Sequence, residues 1–154
     1  MSSVSINELT NAAIDVIQAP GRATLITSKH PIPDVERGEV TPELELFHFG
    51  FSICSHKVRA VLAELGLTYG SNQYAGPTNY ENYTPEYLRL RLQSEAARGP
   101  LVSDYSGGSA VESEGVDPAV VPTLVDRHAG RVLADSKLIT LHLVRTFRTP
   151  IDLL

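Results

Sequence analysis

A single cysteine in 154 residues excludes a disulfide within the chain and any zinc site built from several thiolates. It also makes a reducing compartment, the cytoplasm, the expectation. No apolar run approaches the roughly 20 residues of a membrane span, so no membrane partner is expected. The first residues lack the basic, apolar and small-residue succession of a signal peptide, and Glu8 and Asp15 argue against a transit peptide. Basic clusters are missing too. Against 18 Asp and Glu stand 13 Lys and Arg, a net charge of −5, which argues against nucleic acid as a partner. His30, His48, His56, His128 and His142 show no ligand spacing, so no metal site is expected. There is no internal repeat. Apolar content is ordinary at 42%, and the length suits one domain.

What is present centres on the one cysteine, in Phe49-Gly50-Phe51-Ser52-Ile53-Cys54-Ser55-His56-Lys57-Val58-Arg59. An apolar run, Leu44 to Phe49, reads as a strand buried on both faces. From Ser55 to Leu65 the stripe Val58, Val61, Leu62 and Leu65 predicts an amphipathic helix. Gly66 stands where a left-handed cap belongs, with Leu67 placed to fold back on the last turn. A thiol and hydroxyls therefore fall at a helix N-terminus, where unpaired N–H groups and the helix dipole favour negative charge. Reactive thiolates are found at such places. A lone cysteine is equally a small buried hydrophobe, and position alone leaves both readings open.

Around this centre the chain reads in order. Residues 1–40 read as an N-terminal extension without chemistry of its own. Ser5 with Glu8 makes a capping box, and Ile6, Leu9, Ala13, Val16 and Ile17 recur at helical spacing. Ala19-Pro20-Gly21 closes that helix, Thr24–Thr27 can form a short strand, and residues 30–34 form a proline-bearing linker. Thr68–Tyr74 predicts a second strand, so strand, helix and strand make a right-handed parallel crossover. Thr84-Pro85-Glu86 opens a helix through Tyr87, Leu88 and Leu92 that fades by Arg98-Gly99-Pro100. Between Ser94 and Pro118 five acids (Glu95, Asp104, Glu112, Glu114, Asp117) oppose Arg98 alone, so most of the net charge sits in one insertion, at about 93–118. Ser106-Gly107-Gly108-Ser109 at its centre predicts disorder. Val120–Val125, a turn at Asp126–Gly130 and Arg131–Leu133 predict a hairpin. Ala134-Asp135-Ser136 opens a last helix, apolar on most sides and expected to be buried.

This order resembles an α/β, thioredoxin-like fold (βαβ-α-ββα), in the form of the glutathione-binding N-terminal domain of soluble glutathione transferases. The resemblance runs from about Glu43 to Phe147, interrupted by the acidic insertion, and implies a domain over residues 41–150. It rests on Ser52-Ile53-Cys54-Ser55 with Val58-Arg59, on Val121-Pro122-Thr123-Leu124, and on Asp135-Ser136. Arg59, Gly66, Tyr69 and the run Pro85–Leu90 are similar to the zeta class, the maleylacetoacetate isomerases and tetrachlorohydroquinone reductive dehalogenases.

The resemblance implies glutathione as cofactor and a small electrophile, a quinone or activated ring, as substrate. It also allows a homodimer. Ser52 matches the hydroxyl that binds the glutathione sulfur. Cys54 matches the cysteine that attacks a glutathione-linked intermediate in the dehalogenases. Val121 matches the residue whose backbone pairs with the cysteinyl part of glutathione, ahead of a cis Pro122. Asp135 and Ser136 match the pair that holds the γ-glutamyl end. Family members continue into an all-helical domain, absent from these 154 residues. The leading expectation is a glutathione-activating domain of the isomerase or dehalogenase type. The alternatives are a monothiol, glutaredoxin-like oxidoreductase with Lys57 where a second cysteine would stand, and a truncated or non-catalytic interaction domain.

Overall fold

The computed structural model describes residues 4–17, 22–26, 41–75, 79–94 and 119–148. Five strands, β1 (Ala23–Ile26), β2 (Leu44–Phe49), β3 (Tyr69–Tyr74), β4 (Thr123–Asp126) and β5 (Arg131–Ala134), form one sheet in the order β1-β3-β2-β4-β5. β2 and β3 run parallel, and the other neighbours are antiparallel. Among the described residues four α-helices, α1 (Ile6–Asp15), α2 (Ile53–Glu64), α3 (Pro85–Arg91) and α4 (Ser136–Phe147), cover the two faces.

Alternation along β2 builds both cores. Leu44 and Leu46 join Val58 and Leu62 of α2 and Ile139 and Leu143 of α4 on one side. Phe47 points to the other, among Leu9 and Ala13 of α1 and Tyr87 and Leu90 of α3. Full burial of one such side chain contributes about 1.5–3 kcal/mol. Phe47, Tyr74 and Tyr87 pack as an aromatic triad with centroids 5.1–5.9 Å apart. Both buried polar side chains of this central strand have a partner, though Nδ1 of His48 is buried without one, and a bare buried charge or dipole is costly. Glu45 accepts from Arg127 Nη2 at 2.8 Å and from Asn72 Nδ2 at 3.2 Å. His48 Nε2 lies 2.7 Å from Ser71 Oγ.

The helix ends follow local chemistry. Ser5 Oγ accepts from Glu8 N at 3.1 Å, as the capping box predicts. At the end of α2, Gly66 takes φ 67°, its N–H donates to Ala63 O, and Leu67 N donates to Leu62 O, which completes the expected left-handed cap. Thr84 caps α3 with Pro85 in the first turn.

Two elements from residues 1–40, α1 and β1, pack into the same fold. β1 pairs with β3 from Ala23↔Asn72 to Ile26↔Tyr69. Ala13 of α1 is fully buried, and its carbonyl accepts the Tyr74 hydroxyl at 2.6 Å. α1 lies beside α3, and its Leu9 and Ala13 join Phe47, Tyr74 and Tyr87 in one core. The last helix differs from expectation. Only Ile139 and Leu143 of α4 are buried and Leu141 is 40% exposed, because α4 meets the sheet and α2 along one stripe. α3 is also shorter than expected, ending at Arg91 with a turn to Ser94. The acidic stretch 95–118 and the linker 30–34 lie outside the described residues. No helix among the described residues is long and apolar enough to cross a membrane.

Candidate functional site

The sheet register brings three sequence-distant segments to one end of the molecule. β2 runs out at Phe49, and the chain turns through Gly50 and Phe51 into α2. β4 runs antiparallel to β2 with Phe47 opposite Thr123, so Val121 and Pro122 stand beside the carboxyl end of β2. β5 runs back along β4 with Ala134 opposite Thr123, so Asp135 and Ser136 emerge at that same end. In open α/β sheets the space beyond the carboxyl ends of the strands is where ligands sit.

Ser52 is the N-cap of α2, with extended backbone and its Oγ accepting from Ser55 N at 3.2 Å. One acceptor position of the hydroxyl is therefore used and its proton remains to be donated. Cys54 follows inside the first turn, half-buried and in no disulfide. It is thus neither a fully buried hydrophobe nor freely exposed. Ser55 is fully buried, and its Oγ lies 3.4 Å from Phe49 N, a long contact tying strand end to helix start. His56 Nε2 holds the turn through Gly50 O at 2.8 Å. Lys57 is exposed and Arg59 half-buried. Beside Ser52 and Cys54, Phe51 and Ile53 are 66% and 75% exposed, and Phe51 stacks on Phe49 at 5.5 Å.

The Val121–Pro122 bond is cis, as the resemblance implies. Val121 makes no hydrogen bond to any described residue through its N–H or its carbonyl. The neighbouring backbone is held from the α3 side. Asn82 Nδ2 donates to Ala119 O at 2.6 Å, the Tyr87 hydroxyl to Val120 O at 2.5 Å, and Arg91 Nη1 to Pro122 O at 2.6 Å. None of these three side chains stands out in the sequence. The available signal is Arg91, four residues after Tyr87 and so on the same face of a helix that otherwise buries apolar groups there.

Asp135 has φ 76° and ψ 125°, a conformation that L residues rarely adopt. Its Oδ1 accepts from Lys137 N at 2.9 Å, capping α4. Strained backbone of this kind persists only where the surroundings over-determine it, and it gathers at ligand sites. Ser136, the first residue of α4, is half-buried. The two helix N-termini and the open Val121 peptide offer N–H donors for anions and a strand-like edge for a peptide.

An open cleft of about 810 Å³ lies elsewhere, between α1 and the start of α3, lined among others by Asp15, Arg22, Glu81 and Glu86. Arg22 and Glu81 are already paired there at 3.0 Å. It shares no residue with the site above.

Residues 51–146 match the family model described as glutathione S-transferase, N-terminal domain, and the chain belongs to that family. It is 47% identical over 156 aligned residues to the 2,5-dichlorohydroquinone reductive dechlorinase of Sphingobium indicum, an alignment covering 99% of this chain and 45% of that protein. A shorter stretch of 49 residues is 39% identical to the tetrachloro-p-hydroquinone reductive dehalogenase of Sphingobium chlorophenolicum, 32% of this chain and 20% of that one. The chain thus spans less than half the length of the curated relatives it matches. Among solved structures, the glutathione transferase URE2P8 of Phanerochaete chrysosporium, crystallised with oxidised glutathione, superposes with a TM-score of 0.51. That match covers 73% of this chain and 39% of the other at 19% identity, which bears on the fold alone.

Proposed function

We propose that this chain is the glutathione-binding part of a glutathione-dependent enzyme of the reductive dehalogenase type, acting on a halogenated or otherwise electrophilic hydroquinone or quinone. The observation that carries the reading is the convergence of Ser52, Cys54, Val121, Asp135 and Ser136 at one end of the sheet. The 47% identity to a dechlorinase along nearly the whole chain supports the reductive branch. A cytoplasmic location and a homodimer accord with the family but rest on the same reading.

The residues divide the work by chemistry. Ser52 donates its hydroxyl proton to the glutathione sulfur, a charge-assisted bond that favours thiolate. The Val121 peptide pairs with the cysteinyl backbone in the manner of an added strand. The carboxylate at the γ-glutamyl end meets the N–H groups at the start of α4, and its ammonium meets Asp135. Glutathione thiolate attacks the electrophilic carbon and the halide leaves with the bonding pair. Cys54, as thiolate, then attacks the sulfur of that adduct. The carbon–sulfur bond breaks toward carbon, which takes a proton, and a mixed disulfide between Cys54 and glutathione remains. A second glutathione thiolate releases Cys54 and leaves as glutathione disulfide. The ring gains two electrons, and two thiols supply them.

The test is calorimetric titration of the chain with glutathione, followed by mass spectrometry after exposure to glutathione disulfide. Binding that weakens in Asp135→Asn, which removes the charge that meets the ammonium, with a glutathionyl adduct at Cys54, supports the proposal. Absence of any binding overturns it and leaves an interaction domain of this fold.

A further inference from the structure

Four consecutive carbonyls, from Ala119 to Pro122, run through the cis turn, and three of them are gripped by side chains from one segment. Asn82 holds Ala119, Tyr87 holds Val120 and Arg91 holds Pro122. Thr123 Oγ1 joins the same cluster, 2.9 Å from Arg91 Nη1 and 2.7 Å from the Tyr87 oxygen. Asn82, Tyr87, Arg91 and Thr123 are all at most 5% exposed. The carbonyl passed over is that of Val121, which no described residue engages.

A buried guanidinium is a costly device for holding a turn, because its desolvation offsets much of what its hydrogen bonds return. Three fixed points around one unengaged peptide do something that apolar packing cannot. They set the plane and the tilt of that peptide, and hydrogen bonds weaken steeply with angle. We infer that Asn82, Tyr87 and Arg91 are positioning residues, which aim the Val121 peptide at the cysteinyl backbone of glutathione. The inference rests on the glutathione-binding reading given above. α3 then contributes to the site without touching the ligand.

The 154-residue chain is titrated with glutathione and with an analogue methylated at the cysteinyl amide nitrogen, which cannot donate to Val121 O. Wild-type protein should bind the analogue about ten-fold more weakly, the loss expected for one buried hydrogen bond. In Tyr87→Phe and Arg91→Met, glutathione binding should weaken roughly ten-fold while the analogue loses little more, so that the ratio of the two falls towards one. Arg91→Lys, which keeps a donor and the charge, should recover part of the ratio. Tyr87→Phe removes a single oxygen, which keeps the test valid if Arg91→Met does not fold. Equal weakening for both ligands, with the ratio preserved, overturns the inference and leaves these residues as supports of the fold. No binding by the wild type overturns the glutathione reading and the inference with it.

Discussion

Ser52 Oγ accepts the backbone N–H of Ser55 at 3.2 Å, so one atom both closes the first turn of α2 and keeps a proton to give away. The two tasks can be separated by substitution. Ser52→Ala removes both and should cost about 1 kcal/mol of stability as a lost cap. Ser52→Gly, a tolerable cap, should cost only a few tenths of a kcal/mol. Both should weaken glutathione thiolate binding alike, since neither supplies a hydroxyl. Thermal melts and calorimetry on the pair read the two tasks independently. A glycine variant that binds like wild type would sink the assigned role of Ser52.

Cys54→Ser should leave folding nearly untouched, with a change of stability within about 0.5 kcal/mol, because the side chain is half-buried and the replacement is close in shape. Glutathione binding should persist through Ser52, Val121, Asp135 and Ser136. Formation of the mixed disulfide should vanish. Intact-protein mass spectrometry after incubation with glutathione disulfide checks it, and an adduct surviving the substitution would contradict the single-thiol mechanism.

His48 makes stability depend on pH. Burial, helped by the nearby Arg59 charge, lowers its pKa from 6.5 to about 3. Between these values the unfolded chain takes up a proton that the folded chain refuses. Stability from this site is therefore complete above pH 6.5 and is lost as pH falls towards 3, with a slope of at most about 1.4 kcal/mol per pH unit. Urea unfolding from about pH 7 to about pH 4 should show this decline, and His48→Gln should flatten it. An unchanged slope in the variant would place the acid sensitivity elsewhere.

Arg127 ties the β4–β5 turn to two distant elements. Its guanidinium meets Glu45 Oε2 at 2.8 Å in β2, and Asn7 Oδ1 at 2.6 Å and Asn11 Oδ1 at 3.2 Å in α1. Glu45 is fully buried. Arg127→Met should destabilise the chain by up to about 3–5 kcal/mol, by removing a cation from a buried carboxylate and two hydrogen bonds to α1. Adding Glu45→Gln should return a good part of the loss. Additive losses in the double variant would mean that the two residues act separately.

Features governed by neighbours along the chain were legible in the sequence. Ser5 with Glu8, Thr84 with Pro85, and Gly66 with Leu67 are local contacts, and each end of helix formed where its residues indicated. The apolar run of β2, which faces a core on each side, and the proline before β4 were legible for the same reason. Contacts across the sheet were not. Nothing near residue 91 announces that its charge is buried on the carbonyl of Pro122, and nothing near residue 45 announces Arg127. An amphipathic stripe tells that α1 packs somewhere, but not that it packs beside α3. The φ of Asp135 was equally hidden, since an acid before a helix usually caps from extended backbone. For α4 the apolar count misled, because several of its apolar side chains lie off the stripe that meets the sheet.

Glu45 and His48 stand an odd number of residues apart in β2, and so on opposite faces of it. Each has a partner on its own face: Arg127 and Asn72 for the carboxylate, Ser71 for Nε2 of the ring. Leu46 and Phe47 between them could exchange layers at modest cost, since both layers are apolar. The polar pair forbids it. Sliding β2 by one residue against β3 and β4 would strand a carboxylate and an imidazole in hydrocarbon at once, a penalty of several kcal/mol. Two polar side chains thus act as a key cut on both edges, and the strand that delivers Ser52 and Cys54 enters its lock in a single register.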